Sequence, residues 1–95
     1  MTYKLRFQEL ALAEWGKLDA TIRERFKSKL QECLQNPRVP TAAALSGMPN
    51  CYKIKLRSLG YRLIYKVEDN IVSVSVIAIG KREKDKVYKL AKSRL

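Results

Sequence analysis

The segment Tyr52-Lys53-Ile54-Lys55-Leu56-Arg57-Ser58-Leu59-Gly60-Tyr61-Arg62-Leu63-Ile64-Tyr65 reads as a β-hairpin. Apolar and cationic residues alternate before the glycine, and an apolar, aromatic run follows it. Successive strand residues point to opposite faces. Lys53, Lys55 and Arg57 therefore share one face, and Tyr52, Ile54 and Leu56 the other. A row of fixed cations on core-forming strands suits the docking of a polyanion. The chain has no histidine, so chemistry on that anion falls to lysine, arginine, tyrosine and a few carboxylates.

Ninety-five residues, 46% of them hydrophobic, suffice for one domain spanning residues 1–95 with a modest core and no staples. The net charge of +11 points to nucleic acid, an acidic protein or an anionic membrane surface. Residues 1–51 carry eight basic and five acidic side chains, residues 52–95 twelve and four, so the second half owns the anion-binding face. Cys33 and Cys51 form no zinc pattern or disulfide framework. Cys33 falls on a helical apolar stripe as core filler. No cofactor or metal is expected. Lys4, Arg6 and Glu9 interrupt any N-terminal apolar run, and Ile71–Ile79 is too short to span a bilayer. A soluble, cytoplasmic protein is expected, with no membrane partner.

Tyr3, Leu5 and Phe7 alternate with Lys4 and Arg6 as a short strand. A helix follows from about Gln8 to Lys17, with Leu12 and Trp15 on one side. Asp19 stands at the N-cap of a second helix, in which Ile22, Phe26, Leu30, Cys33 and Leu34 recur at helical spacing until Asn36-Pro37. A loop over residues 37–50 leads into the hairpin. Glu68-Asp69-Asn70 is a turn, Ile71–Ile79 a strand alternating through Val72, Val74 and Val76, and Gly80 its end. Lys84 to Arg94 has helical composition, with Val87, Leu90, Ala91 and Leu95 as packing residues. That helix is short and rich in lysine, so it depends on docking. The expected fold is α+β, an antiparallel sheet in the order β-α-α-β-β-β-α. An N-terminal helical hairpin covers one face, and a short C-terminal helix ends the chain.

With the helical hairpin on one face, the other is free to be concave and cationic. Lys53 and Lys55 project from the first hairpin strand, Arg62 from the second, and Arg82 follows the last strand. Tyr88 lies about one and a half turns into the last helix. These residues can converge on one phosphate. Each also has a plainer reading: solvated lysines, a solubilising Lys81-Arg82 pair, a core tyrosine.

Gly47-Met48-Pro49, Cys51-Tyr52-Lys53-Ile54-Lys55-Leu56-Arg57, Gly60-Tyr61-Arg62-Leu63 and Gly80-Lys81-Arg82-Glu83, together with Trp15 and the element order, are similar to the RelE-type toxins. These are ribosome-dependent messenger RNA interferases of bacterial toxin–antitoxin systems, in the RelE/ParE superfamily. The resemblance covers essentially the whole chain and implies a microbial-ribonuclease-like fold. It implies cleavage of messenger RNA in the ribosomal A site, beside 16S ribosomal RNA, by 2′-hydroxyl attack on the adjacent phosphate. The resemblance places the catalytic roles on Lys53, Lys55, Arg62, Arg82 and Tyr88; beside them the basic side chains of Arg57, Lys81 and Lys84 are expected to bind RNA by general charge attraction. One departure is the loop Ala42-Ala43-Ala44-Leu45-Ser46, where close relatives carry basic side chains that contact ribosomal RNA.

A lysine with a pKa near ~10.4 is a poor base, but neighbouring cations disfavour its charged form. Lys55 is the expected base, with Lys53 and Arg62 holding the phosphate. Arg82 stabilises the leaving oxygen by charge, since a guanidinium holds its proton too tightly for literal proton donation. Tyr88 stacks on or orients a base. The resemblance also implies a RelB-type antitoxin whose acidic segment wraps the toxin and displaces the C-terminal helix. Operator DNA is then reached only through that complex, with the toxin as co-repressor. Two other readings remain: a non-enzymatic ParE-like toxin acting on gyrase, and a basic nucleic-acid-binding module.

Overall fold

The structure, a computed structural model, describes residues 2–38, 43–81, 83 and 86–95. Its elements are β1 (Lys4–Phe7), α1 (Glu9–Gly16), α2 (Ala20–Gln35), β2 (Cys51–Leu56), β3 (Tyr61–Glu68), β4 (Ser73–Lys81) and α3 (Lys86–Ser93). The strands lie in the order β1-β4-β3-β2. β2, β3 and β4 form the expected antiparallel meander. β1 instead pairs parallel to β4, Lys4 with Ser73 through Phe7 with Val76, so the sheet is mixed. The helical hairpin carries the chain across the sheet from one edge to the other. A short connection could not join parallel strands in this way.

The helix stripes are placed as the 3.6-residue period requires. Ile22, Phe26, Leu30 and Cys33 of α2 are buried against Tyr52, Leu56, Leu63, Tyr65, Val67, Val74, Val76 and Ile79. Leu34 and Ile54 are half-buried against the same cluster. α1 buries Ala11 and packs Trp15 on Phe7, ring centroids 5.2 Å apart. Leu12, expected on the same side as Trp15, is exposed beside Leu10 because the inward side of α1 runs through Ala11 and Trp15. Asp19 occupies the N-cap position of α2 but caps through its backbone carbonyl, which accepts from the Arg23 N–H at 3.0 Å.

The last strand departs most from its expected pattern. Asp69–Ile71 forms a 3₁₀ turn, and Val72 is left-handed (φ 49°, ψ 54°), a strained conformation for a β-branched residue. β4 therefore starts at Ser73, and it runs through Gly80 to Lys81 rather than ending at the glycine. A register shift against Ile64 and Tyr65 inserts Ile77 as an extra residue. Val74 and Val76 face the helical hairpin, Ile77 and Ala78 both turn to the other face, and Ile79 faces the hairpin again. Strict alternation from Val72 could not show this change of parity.

The sheet face opposite the helical hairpin is only partly open. Met48, Cys51, Ile64, Ile77, Ala78, Val87 and Ala91 form a second buried cluster under α3, with Leu45, Tyr88 and Leu90 packed against it. Leu95, expected to pack, is exposed beyond the end of α3. The loop after α2 is tied at both ends. The buried Tyr65 hydroxyl donates to the Pro37 carbonyl at 2.7 Å, and Leu45 N–H donates to the Cys51 carbonyl at 2.9 Å. Among the described residues, no helix is long and apolar enough to cross a membrane.

Candidate active site

The period-two pattern of the hairpin sets the site. Lys53 and Lys55 leave β2 on the α3 face, and Lys55 pairs in register with Arg62 of β3, which pairs in turn with Gly80 of β4. The turn between the strands needs a positive φ at Gly60 (71°), which glycine adopts without strain. Val87 of α3 packs over Gly80, where a Cβ would stand in ordinary contact at 3.6 Å from Val87 Cγ2. This docking brings Tyr88 to Arg62. Arg62 Nη1 donates to the Tyr88 hydroxyl at 3.0 Å, and the guanidinium carbon lies 5.2 Å from the ring centroid.

Lys53, Lys55, Arg62 and Tyr88 line one open groove of about 500 Å³. Its remaining wall comes from Leu45, Ser46 and Met48 of the loop and Lys89 and Lys92 of α3. The groove thus has a cationic floor, an aromatic side and a short apolar lip. Lys89 and Lys92 were not singled out in the sequence. Their signal was present, since residues 88, 89 and 92 share one side of a helix.

The electrostatics single out Lys55. Its ammonium is held below the ordinary lysine range, first by the charge of Lys53, then by lost hydration and by Arg62 and Arg57. Cys51 and Cys33 are buried free thiols whose pKa values are raised chiefly by burial, so neither is poised as a nucleophile.

Not every expected residue gathers there. Arg57 is exposed in the hairpin turn, where it lines a smaller groove of about 210 Å³ together with Lys55 and Arg62. Lys81 pairs with Tyr61, so strand alternation directs it to the face opposite Lys55 and Arg62. Arg82 and Lys84 lie outside the described residues. Tyr88 is the third residue of α3 as described, Lys86–Ser93.

The chain matches the family described as ParE toxin of type II toxin-antitoxin system, parDE, over residues 5–86. It is 56% identical over 95 residues to the mRNA interferase toxin RelE of Escherichia coli K12, covering 100% of this chain and 99% of that one. A solved structure of free E. coli RelE, with two arginines replaced by alanine, superposes with a TM-score of 0.91 at 55% identity, again over 100% and 99%. The same RelE variant bound to a peptide of the antitoxin RelB superposes with a TM-score of 0.83 at 55% identity over the same shares. The likeness runs the full length of both chains and includes the site strands and α3. The chain belongs to the RelE toxins, within the wider family of ParE-like toxins of type II toxin–antitoxin systems.

Proposed function

We propose that this protein is the toxin of a type II toxin–antitoxin pair and acts as an endoribonuclease that cuts messenger RNA in the ribosomal A site. The observation that carries the reading is the groove itself. It places a lysine of lowered pKa, Lys55, beside Arg62, which is bonded to Tyr88. Full-length identity of 56% to a toxin named as an mRNA interferase supports RNA rather than gyrase as the target.

The chemistry follows from the groups present. The Lys55 amine takes the proton of the 2′-hydroxyl, whose oxygen attacks the adjacent phosphorus. The bond from phosphorus to the 5′-oxygen breaks and that oxygen takes a proton from water, leaving a cyclic phosphate on one fragment and a hydroxyl on the other. Lys53 and Arg62 hold the phosphate and balance the charge of the transition state. Arg82, four residues past Ala78 in sequence, is assigned to the leaving oxygen through its charge. Tyr88 accepts from Arg62, which leaves its own hydroxyl proton free to donate to the RNA.

A site without histidine has no acid–base pair tuned near neutrality, so much of its rate must come from positioning. The ribosome supplies that by fixing the messenger, in the cytoplasm. A RelB-type antitoxin is the proposed partner, since RelB complexes exist for the E. coli relative. Operator DNA is reached through that antitoxin. Purified protein on programmed ribosomes should cut the messenger at defined A-site positions and cut naked RNA far more slowly. Equal rates on both substrates would overturn the ribosome-dependent reading. Inhibition of supercoiling without any effect on translation would favour the gyrase-directed alternative.

A further inference from the structure

β1 ends its pairing at Phe7 opposite Val76, while β4 continues to Lys81. Gln8 N–H still reaches the Val76 carbonyl at 2.9 Å, but the chain then turns into α1. Beyond that point two side chains serve the β4 edge. Glu14 of α1 accepts from the Ile79 N–H at 3.1 Å, and Arg94 Nη1 donates to the Ile77 carbonyl at 2.9 Å. The two side chains also pair with each other through two bonds, of 2.8 Å and 3.0 Å. They are largely shielded from water, with side-chain exposures of 10% for Arg94 and 25% for Glu14. Gln8 Nε2 completes the joint by donating to the Arg94 carbonyl at 3.0 Å.

We propose that Glu14 and Arg94 are positioning residues for RNA cleavage: their ion pair replaces the missing strand beside β4, anchors the far end of α3, and so holds Tyr88 against Arg62. α3 has eight residues, too few to be stable alone in water. Its own core contribution is small, with only Val87 and Ala91 fully buried. Docking at both ends is therefore required. Val87 meets the sheet at Gly80 beside Tyr88, and Arg94 closes the other end just past Ser93. The pair is directional as well as ionic. Glu14 answers a backbone donor and Arg94 a backbone acceptor, so neither residue can be exchanged for the other.

The proposal rests on the groove being the cleavage site, and the test separates the two ideas. Full-length wild type, Glu14→Ala, Tyr88→Ala and the double variant are compared, with Glu14→Gln as a milder change that keeps an acceptor for Ile79. Amide exchange reads the latch without any activity. Exchange of α3 amides should rise about tenfold or more in Glu14→Ala, with β2 and β3 unchanged. Unchanged exchange in α3 overturns the latch. On programmed ribosomes, Glu14→Ala should lower kcat about tenfold with KM little altered, and should add almost nothing in the Tyr88→Ala background. Losses that multiply would overturn action through Tyr88. Wild-type cleavage by Tyr88→Ala would remove the groove reading and the catalytic half of the proposal, leaving exchange to judge the latch. Should Glu14→Ala not fold, Glu14→Gln carries the same comparisons, with smaller changes of the same sign.

Discussion

Arg62 and Tyr88, from the middle of the sheet and the first turn of the last helix, meet through a 3.0 Å hydrogen bond in which the arginine donates and the phenol accepts. The bond fixes a guanidinium that would otherwise sample many rotamers over the groove. It also keeps the guanidinium over the phenol ring, 5.2 Å from its centroid. Tyr88→Phe keeps the ring and loses the acceptor, so cleavage on ribosomes should fall about tenfold. Tyr88→Ala should lose considerably more, because the ring and its contact with the guanidinium go too. Equal losses in the two variants would show that only the hydroxyl matters.

The lowered pKa of Lys55 makes a pH profile informative. A base works in its neutral form, so cleavage should rise with pH until the Lys55 amine is deprotonated. The midpoint of that rise should lie below the ordinary lysine value of ~10.4. Lys53 is the first cause of the lowering. Lys53→Met should therefore move the rise to higher pH, whatever it does to the plateau. A profile whose midpoint does not move in that variant would exclude Lys55 as the base.

A second charged joint lies at the other end of the sheet. Asp69 accepts from the Tyr3 hydroxyl at 2.6 Å and from Arg38 Nη2 at 2.6 Å, while Arg38 also reaches Asn50 and the Tyr52 hydroxyl. The Tyr3 bond first, then Arg38, hold the Asp69 carboxyl below the ordinary range. Because the folded pKa is the lower one, this contribution is present above the unfolded value of ~3.9 and is lost as pH falls through the folded value. The joint is exposed, so the effect is small. The melting temperature of Asp69→Asn should run parallel to wild type above about pH 5 and converge on it toward pH 2.

Gly60 sets the register that opposes Lys55 to Arg62. At φ 71° any side chain is strained, so Gly60→Ala should cost about 1 kcal/mol in chemical denaturation. The space around it is open, which assigns the cost to backbone conformation rather than to a clash. A neutral substitution would mean that the turn relaxes to another geometry, and cleavage should then drop with the lost register.

Phe26 is fully buried between α2 and the sheet. Phe26→Ala should cost about 3–5 kcal/mol by leaving a cavity that the surrounding strands cannot fill. Thermal melting reads this directly.

Local patterns were legible in the sequence because they act over two to four residues. Tyr52, Ile54 and Leu56 went to one face and Lys53 and Lys55 to the other, as strand pleating demands. The stripe Ile22, Phe26, Leu30 and Cys33 was buried as helical periodicity demands. The resemblance to RelE toxins was legible too, since its motifs are short and contiguous. Lys81 shows the limit: it sits beside Gly80 in sequence, yet alternation sends it away from the groove.

Residue order alone set the succession of elements, the charge and the groups available for catalysis. Tertiary structure alone decided the parallel pairing of β1 with β4, the bulge at Ile77 that reverses the parity of β4, and the Glu14–Arg94 pair across 80 positions. The physical reason is sequence separation. A pleat or a helical stripe is set by neighbouring backbone geometry. A parallel register, an extra ladder residue or a salt bridge between the ends of the chain exists only after the helical hairpin has crossed the sheet and closed the fold around it.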